Sequence, residues 1–195
     1  MTPQQALALL KEGNRRFFEN RLARRNFSGQ VRETGDGQYP FAVVLGCVDS
    51  RVPPEIIFDL GIGDIFCARI AGNIVNPEVL GSLEFAVKVA GAKLILVLGH
   101  TKCGAIMGAA GGMAFGNLGA VLAKLKPAVE AVRETAGPRA PEDDGFIRQV
   151  VEKNVELALE AIREGSPVLR DMLAGGVVAL AGAVYDIDSG QVTFL

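Results

Sequence analysis

Histidine, cysteine and tryptophan are the scarce residues of this chain. Its 195 residues include one histidine, three cysteines, two tyrosines and no tryptophan. Three cysteines are an odd number and too few for a disulfide framework, so a thiol-reducing, cytoplasmic setting is the simpler expectation. A periplasmic setting follows instead if a leader has been removed. The N-terminal MTPQQALALLKEGNRRFF has no basic stretch followed by an apolar one, so no signal peptide is read there. Long apolar runs are lacking too; the longest are strand-length, which argues against a spanning helix and a membrane partner. No charge sign dominates: 20 Lys and Arg stand against 22 Asp and Glu, a balance that disfavours nucleic-acid binding. A 49% hydrophobic content disfavours disorder.

What is present is enough chain for one domain with a real core, expected to span residues 1–195. Thr2 as N-cap and Pro3 at the first turn predict a helix over 3–18. Residues 1–30 read as a helical arm, expected to pack on a partner subunit. Its Lys11, Arg15, Arg16, Arg21, Arg24 and Arg25 read as a solvated face. The polar, Gly-rich 28–40 reads as a loop.

Strand-type runs follow: FAVVL (41–45), IFCARI (65–70), KLILVLG (93–99) and GVVALAGAVYDI (176–187). Helical patterns separate them, at 53–60, 77–91, 117–134 and 144–165. This alternation predicts an α/β fold, a central mostly parallel sheet of about four parallel strands flanked by helices. Asp188-Ser189-Gly190 predicts a hairpin that adds an antiparallel C-terminal edge strand.

Open α/β sheets place functional groups beyond the carboxyl ends of their strands. One strand here runs into "LGCVDSR", another into "VLGHTKCGA". His100 and Cys103, three residues apart, can be aimed at one ion by a tight turn, and Cys47 offers a second thiolate. Two thiolates and an imidazole suit Zn²⁺, and three protein ligands leave a fourth position for water. Cys67 lies inside an apolar strand and reads as core.

If the strand runs on far enough, Cys47, Asp49 and Arg51 share a face. Asp49 then either accepts a hydrogen bond from water in the site, clamped by Arg51, or ligates the metal itself. A strand-end salt bridge before Pro53-Pro54 is the plain structural alternative.

The motifs "GQYPFAVVLGCVDSRVPPE", "GDIFCARIAGN", "LGSLEFAV" and "VLGHTKCGA", taken together and in this order, resemble the β-class carbonic anhydrases. The resemblance implies one Zn²⁺ per chain on Cys47, His100 and Cys103, with Asp49 and Arg51 as the catalytic dyad. It implies reversible hydration of CO₂ to bicarbonate and a proton through zinc-bound hydroxide. Gln38, Phe66, Ala71, Phe85 and Gly104 fall on substrate-binding positions; Phe85 stands where other members carry Tyr. The resemblance further implies a homodimer or a dimer of dimers, with active sites at the interface and Gln38 and both Phe residues supplied by the neighbour. Some members carry an inhibitory bicarbonate site built on a Trp, an Arg and a Tyr. Arg69 matches its Arg, but Val44 stands at the Trp position, so an open site with water on zinc is expected. Two alternatives stand beside this reading: hydrolysis of a CO₂ analogue such as CS₂ or COS, and a non-catalytic zinc or thiol sensor.

Overall fold

The computed structural model describes residues 1–137 and 139–195. Helix α1 (Pro3–Phe18) starts as its cap predicts: the Thr2 side chain accepts from the Gln5 amide, and the Gln5 side chain accepts from the Thr2 amide. Helix α2 (Phe27–Glu33) occupies the first part of the expected loop. The Asn26 side chain caps it at the Gly29 amide, and its polar sequence carried no apolar period to reveal it.

Strand β1 (Ala42–Gly46), helix α3 (Pro54–Ile57) and strand β2 (Ile65–Arg69) come next. Helix α4 (Pro77–Glu84) runs on into a π-turn over Phe85–Val89, and strand β3 spans Leu94–His100. The second half brings α5 (Gly104–Ala110), α6 (Leu118–Ala123) and α7 (Lys126–Ala136). It ends with α8 (Asp144–Gly165), α9 (Pro167–Ala174), β4 (Ala179–Tyr185) and β5 (Val192–Phe194). The pattern over 117–134 is thus two helices rather than one. Pro127, which lacks an amide proton, sits in the first turn of the second, where none is needed.

The sheet order is β2-β1-β3-β4-β5. It is parallel through β4 and antiparallel at β5, the directions that the sequence predicts. Alternate strand residues face opposite layers. Val43, Leu45, Ile95 and Val97 pack with α4, α5, α7 and α8. Ala42, Val44, Leu94, Leu96 and Leu98 pack with α1 and α3. Truncating a fully buried member such as Leu96 to Ala costs about 2–5 kcal/mol.

Helix α8 lies close on the sheet because β3 and β4 carry glycine beneath it. A Cβ at Gly99 would fall 2.8 Å from Val155 Cγ2, and one at Gly182 2.7 Å from Val155 Cγ1.

The basic arm residues do not all face water. Asp59, 4% exposed, takes Arg16 Nε at 2.5 Å and Arg25 Nη2 at 3.0 Å, with the Ala23 amide as a further donor. The chain doubles back after α1, with Asn20 at φ 54°, and this brings two of the six cations onto one buried carboxylate. The face of α1 bearing Ala6, Leu10 and Asn14 is buried within its own chain. Asn14 Nδ2 donates to the carbonyls of Ile57 and Gly190, and its Oδ1 accepts from the Val192 amide. Leu9, Phe18, Leu22, Phe27 and Val31 remain exposed.

Among the described residues no helix is long and apolar enough to cross a membrane.

Candidate metal and catalytic site

The chain passes from β1 to β2 on one side of the sheet and later enters β3 on the other side of β1. A crevice opens at such a reversal, beyond the carboxyl ends of the two central strands. Cys47 follows β1 directly, His100 ends β3, and Cys103 stands just before α5. Their side-chain ligand atoms lie within 4.8 Å of one another, and all three residues are buried.

The histidine is set for ligation by its neighbour. His100 Nδ1 is 2.9 Å from the Thr101 carbonyl, which can only accept, so Nδ1 carries the proton and Nε2 presents its lone pair. Nε2 is buried and has no hydrogen-bond partner among the described residues. An orphaned buried nitrogen is costly unless something fills its place.

The two sulfurs share their protons unequally. Cys47 is drawn toward the thiolate by the Cys103 thiol, against burial, and further by the Gly72 amide at 3.3 Å. Cys103 is pushed up by that same bond to Cys47 and by burial. A cation bound between them would hold both sulfurs as thiolates. Donor chemistry, spacing and the unpartnered Nε2 therefore fit a thiophilic, tetrahedral cation such as Zn²⁺.

Asp49 and Arg51 stand at the edge of this cluster, though not by strand alternation. β1 ends at Gly46, and residues 49–52 form a turn in which the Val52 amide donates to the Asp49 carbonyl. Asp49 Oδ1 accepts from Arg51 Nε at 2.9 Å and from the Arg51 amide at 3.0 Å. Oδ2 accepts from Arg51 Nη2 at 2.7 Å. Arg51, through these bonds, outweighs burial and holds the Asp49 carboxyl at about 2. Oδ2 lies 4.0 Å from His100 Nε2, so the carboxylate overlooks the ligand atoms while its bonds go to arginine.

The remaining predicted positions divide into groups. Ala71 adjoins Gly72, and Gly104 opens α5 beside Cys103. Phe66 and Phe85 meet edge to face with centroids 6.0 Å apart. They line a cavity of about 440 Å³ with Val43, Cys67, Glu78 and Ser82. Gln38 sits in an exposed loop and lines a different cavity with Thr34, Asp36 and Ile62. Cys67 is half-buried rather than fully in the core, because β2 is the edge strand and its outer side borders the Phe66 cavity.

Sequence reasoning passed over Thr101, which fixes the imidazole, and Gly72, which donates to Cys47. It also assigned Arg69 another role: here Arg69 Nε donates to the Cys47 carbonyl at 2.8 Å and Nη2 to the Asp49 carbonyl at 2.6 Å. The signal for Gly72 was the Gly-Asn pair at 72–73, a dipeptide suited to positive φ, which both residues adopt.

Comparison with known proteins shows the family. The family described as "Carbonic anhydrase" matches residues 42–192. "Carbonic anhydrase 2" of Mycobacterium tuberculosis is 37% identical over 195 residues, covering 97% of this chain and 91% of the relative. The β-carbonic anhydrase CafA of Aspergillus fumigatus superposes with TM-score 0.79 at 28% identity, covering 98% of this chain and 89% of that one. A structure from a study of two tetrameric β-carbonic anhydrases of Sordaria macrospora gives TM-score 0.77 at 26% identity, covering 86% and 90%. The chain belongs to the carbonic anhydrase family, and to its β class.

Proposed function

We propose that this chain catalyses the reversible hydration of CO₂ to bicarbonate and a proton, with one Zn²⁺ held by Cys47, His100 and Cys103. The observation that carries the reading is the buried Cys–His–Cys cluster with an unpartnered Nε2, overlooked by a carboxylate that arginine already holds. A Zn²⁺ held by these three residues would supply Lewis acidity.

The chain's own groups then divide the work. Thr101 keeps the imidazole in the ligating tautomer. Asp49, held near 2, is too weak a base to store a proton at neutral pH; its role is to accept a hydrogen bond from water and orient it. Arg51 holds both carboxylate oxygens in bonds to itself, which supports a site open to water. Phe66 and Phe85 offer an apolar wall suited to a linear, nonpolar substrate.

A second copy of the chain completes the site. In one chain Gln38 lines a cavity other than that of the two phenylalanines, and the exposed Tyr39, Ile56, Phe85 and Val89 leave apolar surface open. Leu22 and Phe27 of the arm, and Val31 in α2, are exposed as well. Sedimentation should therefore give a dimer or a dimer of dimers; a monomer at working concentration would contradict this part. The enzyme reading is tested by zinc content and CO₂ hydration of the wild type beside Cys47→Ser, with both expected to vanish in the variant. Stoichiometric zinc without turnover would favour a sensor.

A further inference from the structure

The long helix α8 buries an apolar face, with Val150, Val151, Val155 and Ile162 against the sheet and its neighbours. One residue breaks the pattern: Asn154, 6% exposed. A buried amide on such a face is unfavourable unless it bonds something specific. Its Nδ2 donates at 3.0 Å to the carbonyl of Gly72, 82 positions away in sequence.

Gly72 is the residue whose amide donates to Cys47 Sγ. It sits at φ 68°, followed by Asn73 at φ 44°, so two consecutive residues occupy the left-handed region. Gly and Asn are the residue types that tolerate this region, so surrounding contacts decide how the turn is aimed. Two backbone bonds fix the entry to this turn: Ile70 N to Gly46 O at 3.1 Å, and Asn73 N to Ile70 O at 2.9 Å. Leu125 closes one side, where a Cβ on Gly72 would lie 2.8 Å from Cδ1. Asn154 supplies a further restraint, a side-chain bond to the Gly72 carbonyl itself. Without it the carbonyl can rotate, and the amide on the other side of the same Cα loses its aim at the sulfur.

The geometry points to Asn154 as a positioning residue for the metal centre, acting through Gly72 to keep an N–H···S bond on Cys47. The inference rests on the metal reading above. It assigns α8, which contributes no ligand, a part in setting the electron density at one sulfur. Groups that orient first ligands change metal affinity by about 10- to 100-fold when removed.

The test uses the full-length protein loaded with Zn²⁺, and separately with Co²⁺. Asn154→Asp keeps the volume and replaces the donor by an acceptor; Asn154→Ala removes the donor in a smaller side chain and carries the test if the first variant misfolds. Ile162→Val, a packing change on the same buried helix face, is the control. Zinc loss to a chelator should speed up about tenfold or more in the Asn154 variants and stay within about twofold of wild type in the control. The thiolate-to-cobalt charge-transfer band should move to longer wavelength in the Asn154 variants alone, because a sulfur that loses its N–H donor is richer in electrons. Unchanged zinc loss and an unmoved band would overturn the assignment. So would faster loss shared by Ile162→Val with the band unmoved, since that is general destabilisation. A wild type that binds no zinc would instead refute the metal reading, and the two failures are told apart by the wild-type zinc content.

Discussion

Asp49 is bonded to Arg51 and stands apart from His100: Oδ2 is 2.7 Å from Arg51 Nη2 and 4.0 Å from His100 Nε2. The carboxylate thus reaches toward the ligand atoms without being spent on them. Arg51→Ala should release it to turn toward the cation and lower turnover by about 100-fold, the scale of misplacing a group that orients a reactant. Arg51→Lys keeps the charge but not the two-pronged bond, and should fall between. Asp49 is ionised at neutral pH with or without its arginine, since its ordinary value of 3.8 is already far below 7. The loss is therefore one of orientation, and raising the pH should not restore it. Arg51 is half exposed, so unfolding stability should change by less than about 1 kcal/mol. Turnover within about twofold of wild type in Arg51→Ala would contradict the role given to the pair.

Asp59 ties the N-terminal arm to the domain. Burial works against its ionised form, but the bonds from Arg16 and the Ala23 amide and the charge of Arg25 outweigh it and hold its carboxyl below the ordinary 3.8. A depressed carboxylate contributes stability that is full above its unfolded value and is lost as pH falls through the lower folded one. Asp59→Asn should accordingly cost about 2 kcal/mol at pH 7, between the values for exposed and buried ion pairs. Denaturant titrations of both proteins from neutral pH to well below 3.8 should show the difference narrowing only at the acid end. A constant gap across that range would refute the linkage.

Proton export is expected to lean on solvent. The chain has one histidine, and a histidine that ligates the metal cannot carry protons near neutral pH. Turnover at saturating CO₂ should rise with the concentration of an imidazole-type buffer. A flat response would mean that another group of the chain carries the proton.

Much of this could be read from residue order, for physical reasons that differ from element to element. The parallel strands were legible because both faces of a buried sheet must be apolar, as at Val43-Val44-Leu45 and Leu94–Leu98. Helix α2 was not, since its stability comes from the Asn26 cap and contacts elsewhere in the chain rather than from an apolar stripe. Cys47, His100 and Cys103 were legible as types at strand ends. Their approach depends on β1 and β3 being neighbours at the sheet reversal, which pairing creates and order along the chain does not display. Asp49 and Arg51 were matched to each other rightly, but through a turn rather than a pleat. Thr101, Gly72 and Asn154 act through a carbonyl, an amide and a bond spanning 82 positions, and such roles leave little trace in residue identity.

The most direct test of the central claim is CO₂ hydration by the zinc-loaded protein, followed from neutral to alkaline pH with metal content measured on the same sample. The account predicts one zinc per chain, turnover already present at neutral pH, and loss of both in Cys47→Ser. A protein that holds one zinc per chain and hydrates no CO₂ anywhere in that range would contradict it.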